Sequence, residues 1–193
     1  MTTPRVLYAL RHGETDWNAD LRWQGHTDIP LNETGRAQAR EVAERLRPLR
    51  PAGVASSDLS RARETAEIVA AALGLPEVYV DAGLRERAFG VFEGLTRGEC
   101  EERHPLEWSR WLDRRHPPDG GEAHDALTAR AVAAMGRIAE RIARDDAPAI
   151  VVTHGGTLRA VVFAVKGALP PPVKNAALWR LTWDGGLVDA VEL

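Results

Sequence analysis

Apolar positions along this chain alternate between a strand rhythm and a helical one. Val6-Leu7-Tyr8-Ala9-Leu10 is a short apolar run closed by Gly13, which reads as a buried strand ending at His12. Residues 16–30 are polar and turn-rich, with Asn18, Asp20, Gly25 and Asp28, and predict a loop held down by Trp17 and Trp23. Leu31-Asn32-Glu33-Thr34-Gly35 then supplies N-cap candidates for a helix. Its apolar positions Ala39, Val42, Ala43 and Leu46 recur at helical spacing, and Pro48 stops it. Gly53-Val54-Ala55-Ser56 predicts a second strand. Ser57 or Asp58 is the expected cap of a helix whose stripe Ala62, Ala66, Val69, Ala70 and Leu73 ends at Gly74 and Pro76. Val78-Tyr79-Val80 predicts a third strand.

Beyond it the pattern changes. Thr96 to Asp113 is helical but strongly polar, with Trp108 and Trp111 on one side, and His116-Pro117-Pro118-Asp119-Gly120-Gly121 must be an irregular loop. Residues 92–122 therefore read as a cover over the sheet. A long amphipathic helix follows, with Leu127, Ala131, Ala134, Met135, Ile138 and Ile142 on its apolar face. Ala149 to Thr153 predicts a strand that runs into His154-Gly155-Gly156-Thr157, and the next helix, to Lys166, starts at that glycine pair. Ala177 to Trp183 and Leu187 to Val191, split by Asp184-Gly185-Gly186, predict a hairpin at the sheet edge. Strands alternating with helices predict a three-layer α/β/α sandwich, mostly parallel with an antiparallel edge and right-handed crossovers. At 193 residues, positions 1–193 are expected to form a single domain.

Composition narrows the function classes. Basic and acidic residues are mixed along the chain and the net charge is −3, which offers no footprint for nucleic acid or an anionic membrane. The most apolar stretch, 149–165, is interrupted by His154 and Arg159, so no membrane span is expected, and the first residues lack a secretory pattern. Cys100 stands alone, which excludes an intrachain disulfide and fits a reducing, cytoplasmic setting. His26, His104, His116 and His124 show no zinc-like spacing with carboxylates or with Cys100, so no metal and no cofactor are expected.

Candidate chemistry gathers at strand ends. Arg11-His12-Gly13 follows the first strand and His154-Gly155-Gly156 follows a later one, at the carboxyl edge where an open α/β sheet binds ligands. Taken alone, His12 could simply cap its strand while Arg11 points to solvent. Arg61 falls in the first turn of a helix, where the dipole disfavours a cation unless an anion binds beside it or the side chain bends away. Glu86 stands between Arg85 and Arg87 just beyond the third strand. If the two histidine-bearing strands are neighbours, two imidazoles, two guanidiniums and one carboxylate converge, a set suited to phosphoryl transfer through a covalent histidine intermediate. The attacking ring must be neutral, and nearby cations lower an imidazole pKa. Arg11, Arg61, His154 and backbone N–H groups near Gly13 and Gly155 would face the phosphoryl oxygens, and Glu86 would protonate the leaving alcohol and then deprotonate water.

The ordered motifs carry a resemblance over nearly the whole length. Leu10-Arg11-His12-Gly13-Glu14-Thr15 with Trp17-Asn18, Leu31 to Gly35 with Gln38-Ala39, Ser56 to Ala62 with Thr65-Ala66, Leu84 to Arg87 with Gly90, and Val152 to Gly156 are together similar to the phosphoglycerate mutase-like branch of the histidine phosphatase superfamily. That resemblance implies that His12 is phosphorylated, that Arg11, Arg61 and His154 hold the phosphoryl group, and that Glu86 is the acid-base. Asn18, Gln24 and Thr157 match positions lining the family's pocket, and Arg87 and Gly155 are further substrate-binding candidates. The segment Gly120-Gly121-Glu122-Ala123-His124 departs from the pattern, which often has a serine after the glutamate, and leaves the role of His124 open.

Within the family, cofactor-dependent mutases carry a longer insertion between acid and second histidine, plus a C-terminal tail. The compact stretch from Glu86 to His154 therefore favours a phosphomonoester hydrolase, with a phosphoglycerate mutase as the alternative. A non-catalytic phosphate-binding protein predicts a missing catalytic group, and none is missing. An α/β-hydrolase is disfavoured because no Gly-x-Ser-x-Gly turn exists. The expected partner is a small-molecule phosphate ester; phosphoglycerate-like esters, phosphoserine, a sugar phosphate and a ribazole nucleotide are all substrates in similar proteins, and a homodimer is compatible with the pattern. Arg97, Arg103, Trp108, Arg110, Trp111, Arg114 and Arg115 of the cover either bind an acidic or ring-bearing ester or simply pack and solvate the cover.

Overall fold

A computed structural model describes residues 3–112 and 116–193. Six strands form one sheet: β1 (Arg5–Arg11), β2 (Gly53–Ser56), β3 (Val78–Val80), β4 (Ala149–Thr153), β5 (Leu178–Trp183) and β6 (Leu187–Glu192), in the order β3-β2-β4-β1-β5-β6. The first four in that order are parallel, while β5 and β6 are antiparallel and form the edge hairpin. The α-helices among the described residues are α1 (Asp16–Ala19), α2 (Glu33–Leu46), α3 (Ser60–Leu73), α4 (Arg97–Arg103), α5 (Pro105–Trp111), α6 (His124–Arg141) and α7 (Gly155–Lys166).

Strand periodicity explains the layers. Successive strand residues point to opposite faces, so Leu7, Ala9, Ala149 and Val151 pack with Ala131, Met135 and Ile138 of α6 and Leu158 and Val161 of α7. On the other face Leu10, Ile150 and Val152 meet Val42 and Leu46 of α2 and Ala62, Ala66 and Val69 of α3. Every residue of β4 is buried, because both faces are covered. The result is the expected three-layer sandwich. A third cluster, Phe89, Phe92, Cys100, Trp108 and Trp111 with Trp23 and Leu95 against it, is built outside the sheet by the segment that precedes α6.

Local chemistry departs from the expected elements in three places. The polar stretch after β1 is not all loop, because Thr15 and Asn18 close a capping box around α1. A four-residue helix has no periodicity to read, and Asn18 stands where Glu or Gln would mark the box. Neither Ser57 nor Asp58 is the cap of α3: the N-cap residue is Leu59, whose side chain makes no capping bond. Asp28 accepts from both the backbone N and the hydroxyl of Ser60 at 2.8 Å, Ser57 Oγ accepts from Leu59 N at 3.3 Å, and Asp58 is held by Arg85. The helical stretch beyond Thr96 breaks in two at His104, whose backbone (φ −134°, ψ 55°) leaves the helical region ahead of Pro105, as a residue before proline tends to do. Its expected end at Asp113 lies outside the described residues.

The loop after β1 is pressed against the start of α2. Glu14 N donates to Gln38 Oε1 at 2.9 Å, Asn32 N donates to Glu14 O at 3.0 Å, and Asn32 caps α2 through Gly35 N. Gly13 and Gly35 meet backbone to backbone, so a methyl group on Gly35 would strike the Glu14 carbonyl. Gly35→Ala is therefore expected to cost about 1–3 kcal/mol, the range for overpacking a tight contact. Thermal denaturation would register it as a Tm several degrees lower; an unchanged Tm would show that this contact is not tight.

Candidate active site

Because β1 and β4 are adjacent and parallel, with Arg11 opposite Thr153, the residues that follow them emerge side by side. His12 N donates to Thr153 O at 2.9 Å, and the rings of His12 and His154 lie edge to face with centroids 5.1 Å apart. The open side of this pair faces a cleft of about 920 Å³. Arg11, His12, Asn18, Gln24, Arg61, Glu86, Arg87 and Gly155 all line it. His154 packs against His12 and is fully buried.

The His12 ring has a defined polarity. Its Nδ1 lies 2.6 Å from the Gly13 carbonyl, which can only accept, so Nδ1 carries the proton and Nε2 keeps its lone pair. Burial first, then the Arg11 and Arg61 guanidiniums, hold its pKa well below the usual imidazole value, against the opposing pull of the Gly13 bond. The peptide around it is clamped. Gly13 N donates to Thr65 Oγ1 at 3.1 Å, and Thr65 in turn donates to Arg61 O at 2.7 Å. Asn175 Nδ2 reaches the His12 and Gly13 carbonyls and Asn18 Oδ1 at 3.1, 3.2 and 3.1 Å.

His154 is the N-cap residue of α7, and neither of its ring nitrogens has a hydrogen-bond partner among the described residues. A buried polar ring left unpaired costs on the order of 1–3 kcal/mol, a cost that binding of a ligand would remove. Burial, then Arg61, His12, Arg11 and Arg130, hold this ring neutral as well.

The two guanidiniums are anchored from behind. Arg61 donates to Gly25 O at 2.8 Å and Thr27 O at 3.0 Å, Arg11 donates to Val173 O at 2.6 Å, and the Nε of each has no partner among the described residues. Burial lowers the pKa of Arg61 to about 10 despite the support of Glu86 and Asp28, which leaves it charged at neutral pH. Burial lowers that of Arg11 too, against the pull of Glu86. Glu93 keeps the Arg61 acceptors in place: its carboxylate takes His26 N at 3.1 Å and Thr27 N at 2.9 Å, so the loop that turns its carbonyls to Arg61 is tied from the other side.

Glu86 enters from the loop after β3 and rests on the N-terminus of α7. Its oxygens accept from Gly156 N at 2.9 Å, Thr157 N at 3.1 Å and Arg87 N at 2.7 Å, a placement that the helix dipole favours for a carboxylate. Thr157 therefore does not line the cleft as expected. Its hydroxyl donates to the Arg85 carbonyl at 2.6 Å and its N–H holds Glu86, so it supports the site from beneath. The reason is helical geometry: at the third position of α7 its side chain turns back under the strand-end loop.

The other sequence candidates separate cleanly. Arg87 stacks over Trp111 at 4.4 Å and donates to Glu122 O at 2.8 Å. Gln24 lines the cleft with an Oε1 that has no partner among the described residues. His124 also lines it, with its ring against Phe163 at 4.9 Å. Among the described Arg- and Trp-rich positions of the segment before α6, only Trp111 borders the cleft. Trp108 packs inside the third cluster, Arg97, Arg103 and Arg110 are exposed, and Arg114 and Arg115 lie outside the described residues.

Arg159, Lys174 and Asn175 line the cleft without having been singled out in the sequence. Arg159 stands four residues after Gly155 on α7, so helical spacing could have found it. Lys174 and Asn175 belong to the irregular stretch before β5, and no periodicity points to them.

Two neutral buried histidines make stability depend on pH. Their folded pKa values lie below the unfolded value of about 6.5, so the unfolded chain binds more protons below that pH. Their contribution is complete above about pH 6.5 and falls with pH at up to about 1.4 kcal/mol per unit for each ring. Urea denaturation of the wild type and His154→Asn at pH 7.5, 6.5 and 5.5 is expected to show a shallower acid slope in the variant. Parallel slopes would contradict burial of a neutral His154.

The model of the histidine phosphatase superfamily (branch 1) matches residues 7–193. The chain is 42% identical over 159 residues to phosphoglycerate mutase-like protein 4 of Arabidopsis thaliana, covering 80% of this chain and 68% of the relative. It is 41% identical over 166 residues to the metal-independent phosphoserine phosphatase of the same plant, covering 84% and 69%. Among solved structures, a mycobacterial glucosyl-3-phosphoglycerate phosphatase in complex with VO3 superposes with a TM-score of 0.85 at 32% identity, covering 97% of both chains.

Proposed function

The chain belongs to the histidine phosphatase superfamily, and we propose that it hydrolyses small-molecule phosphate monoesters through a phosphohistidine formed on His12, as a histidine acid-type phosphatase. One observation carries this reading: the Nδ1 bond to Gly13 leaves the His12 Nε2 lone pair free at a cleft that also presents two guanidiniums. In the first step Nε2 bonds to phosphorus as the phosphorus–alcohol oxygen bond breaks, and the Glu86 carboxyl gives its proton to the departing oxygen. Arg11 and Arg61 hold the transferring oxygens from the cleft wall, and His154, buried against His12 with both ring nitrogens free of partners among the described residues, donates to them from the neighbouring strand end, so that fixed donors stabilise their charge. In the second step water attacks phosphorus, its proton passes to Glu86, and the phosphorus–nitrogen bond breaks. Asn18, Gln24, Arg87 and Gly155 serve the substrate from the cleft wall, and Thr157 serves it through Glu86.

The whole chain acts as one catalytic domain in which residues 92–122 form a cover subregion. Trp23 and Phe89, both on the cleft wall, pack 4.7 Å apart within the cluster that this segment builds. No described helix is long and apolar enough to cross a membrane. A cytoplasmic setting suits Cys100, whose buried thiol is pushed up to about 11 by burial and by Glu99.

The test is hydrolysis of p-nitrophenyl phosphate with EDTA present, together with transient labelling of a histidine by a radioactive ester. No hydrolysis, or label on another residue type, would overturn the reading. The likeness to a mutase-like relative keeps phosphoglycerate mutation as the second reading. Mixing the protein with 3-phosphoglycerate and a trace of the bisphosphate separates the two: release of inorganic phosphate supports hydrolysis, and formation of 2-phosphoglycerate supports the mutase.

A further inference from the structure

Arg130, on α6, has every guanidinium N–H engaged. Nε donates to Glu122 Oε1 at 2.6 Å, and Nη2 donates to Glu122 Oε2 at 2.8 Å and to the Glu86 carbonyl at 2.8 Å. Nη1 donates to the carbonyls of Gly83 at 2.9 Å and Arg85 at 2.7 Å. Arginine offers about five donors in one rigid plane, and here two take a carboxylate while three take the Gly83, Arg85 and Glu86 carbonyls of the loop that carries Glu86. The Glu86 carbonyl also accepts from His26 Nε2 at 2.8 Å, so both of its lone pairs are occupied. Glu86 is thus held at both ends, its carboxylate by three backbone N–H groups and its peptide by Arg130 and His26.

We propose that Arg130, braced by Glu122, is a positioning residue: it fixes the peptide plane of the loop at Gly83, Arg85 and Glu86 so that the Glu86 carboxyl points at the departing oxygen. This rests on the reading of Glu86 as the acid-base. Arg130 does not itself line the cleft, and every carbonyl it holds belongs to the loop that carries Glu86. Its brace also reaches the covering segment. Glu122 N donates to Ala88 O at 2.9 Å and Arg87 Nε donates to Glu122 O at 2.8 Å, which joins the end of residues 92–122 to the loop beside Glu86. A lysine here would have one compact ammonium and no fork to span a carboxylate and three carbonyls.

A proton donor matters most when the departing oxygen is a poor leaving group, so leaving-group dependence separates positioning from general loss of structure. Arg130→Met, Glu122→Gln and Glu86→Gln are compared with wild type by kcat/KM on phenyl phosphate, a poor leaving group, and p-nitrophenyl phosphate, a good one. Arg130→Met is expected to lower kcat/KM about 10–100-fold on phenyl phosphate and less than about threefold on p-nitrophenyl phosphate, in the manner of a displaced general acid. Glu122→Gln is expected to shift the ratio the same way by a smaller factor. It also supplies the result should Arg130→Met fail to fold, because it keeps the shape of the side chain that braces the guanidinium. A purely structural role lowers the active fraction for both substrates alike and leaves the ratio unchanged; that outcome overturns the proposal. If Glu86→Gln shifts the ratio and neither other variant does, the positioning role falls and the acid-base reading stands. If Glu86→Gln leaves the ratio unchanged, the acid-base reading itself falls.

Discussion

His12→Ala is expected to reduce hydrolysis of p-nitrophenyl phosphate by at least about 10³-fold, on the scale seen when a catalytic nucleophile is removed. That corresponds to about 4 kcal/mol or more of lost transition-state stabilisation. The size follows from the arrangement: Nε2 of His12 is the bare ring nitrogen at the cleft, whereas the His154 ring is fully buried against it and does not line the cleft. Arg11 and Arg61 are anchored by carbonyls of Val173, Gly25 and Thr27, none of which involves His12, so the anion-binding groups stay in place. The variant is therefore expected to bind inorganic phosphate within a few-fold of wild type while accepting no label. Steady-state assay, acid-labile labelling and equilibrium phosphate binding check the three parts. Wild-type turnover in His12→Ala would end the phosphohistidine mechanism.

Glu86→Gln is the second large effect, and it splits by step. Loss of a positioned general acid costs about 10²–10⁴-fold, so kcat/KM for an ester with a poor leaving group should fall by that order. For p-nitrophenyl phosphate, kcat/KM should hardly change, because that alcohol leaves without a proton. The second step still lacks its base. Turnover should then slow to the hydrolysis of the phosphohistidine, and stopped-flow should show a burst of p-nitrophenolate equal to the enzyme present, with label accumulating on His12. The isostere's carbonyl oxygen can still take the Arg87 and Thr157 N–H groups that share Oε1, while its amide nitrogen faces the Gly156 N–H in place of Oε2, so two of the three backbone anchors remain. An equal loss on both esters with no burst would remove Glu86 from both proton transfers.

Much of this site is legible in the sequence, and the reasons differ from residue to residue. His12 and His154 stood out because each follows an apolar strand pattern directly and precedes a glycine, which places them at a carboxyl edge. Arg61 was ambiguous. The sequence allowed it to bend into solvent, and only the carbonyls of Gly25 and Thr27, supplied from a loop more than thirty residues earlier, turn it inward. Thr157 was misread because a motif says which residues are close in the chain and not which way a first-turn side chain faces. Asp28 at the start of α3, Asn175 against His12, and Arg130 beneath Glu86 share one property: each acts on backbone atoms far away in sequence, through bonds that leave no local pattern.

The amino-acid sequence by itself determined the elements, the alternation that makes a covered parallel sheet, and which histidines and arginines stand at the strand ends, because periodicity, glycine and proline act over a few residues. The tertiary structure decided which strands are neighbours, and with them whether two imidazoles meet. It also decided which nitrogen of His12 is left free, and what holds Glu86 at both ends. Those outcomes depend on hydrogen bonds between segments distant along the chain, whose donors and acceptors are mostly the backbone common to every residue.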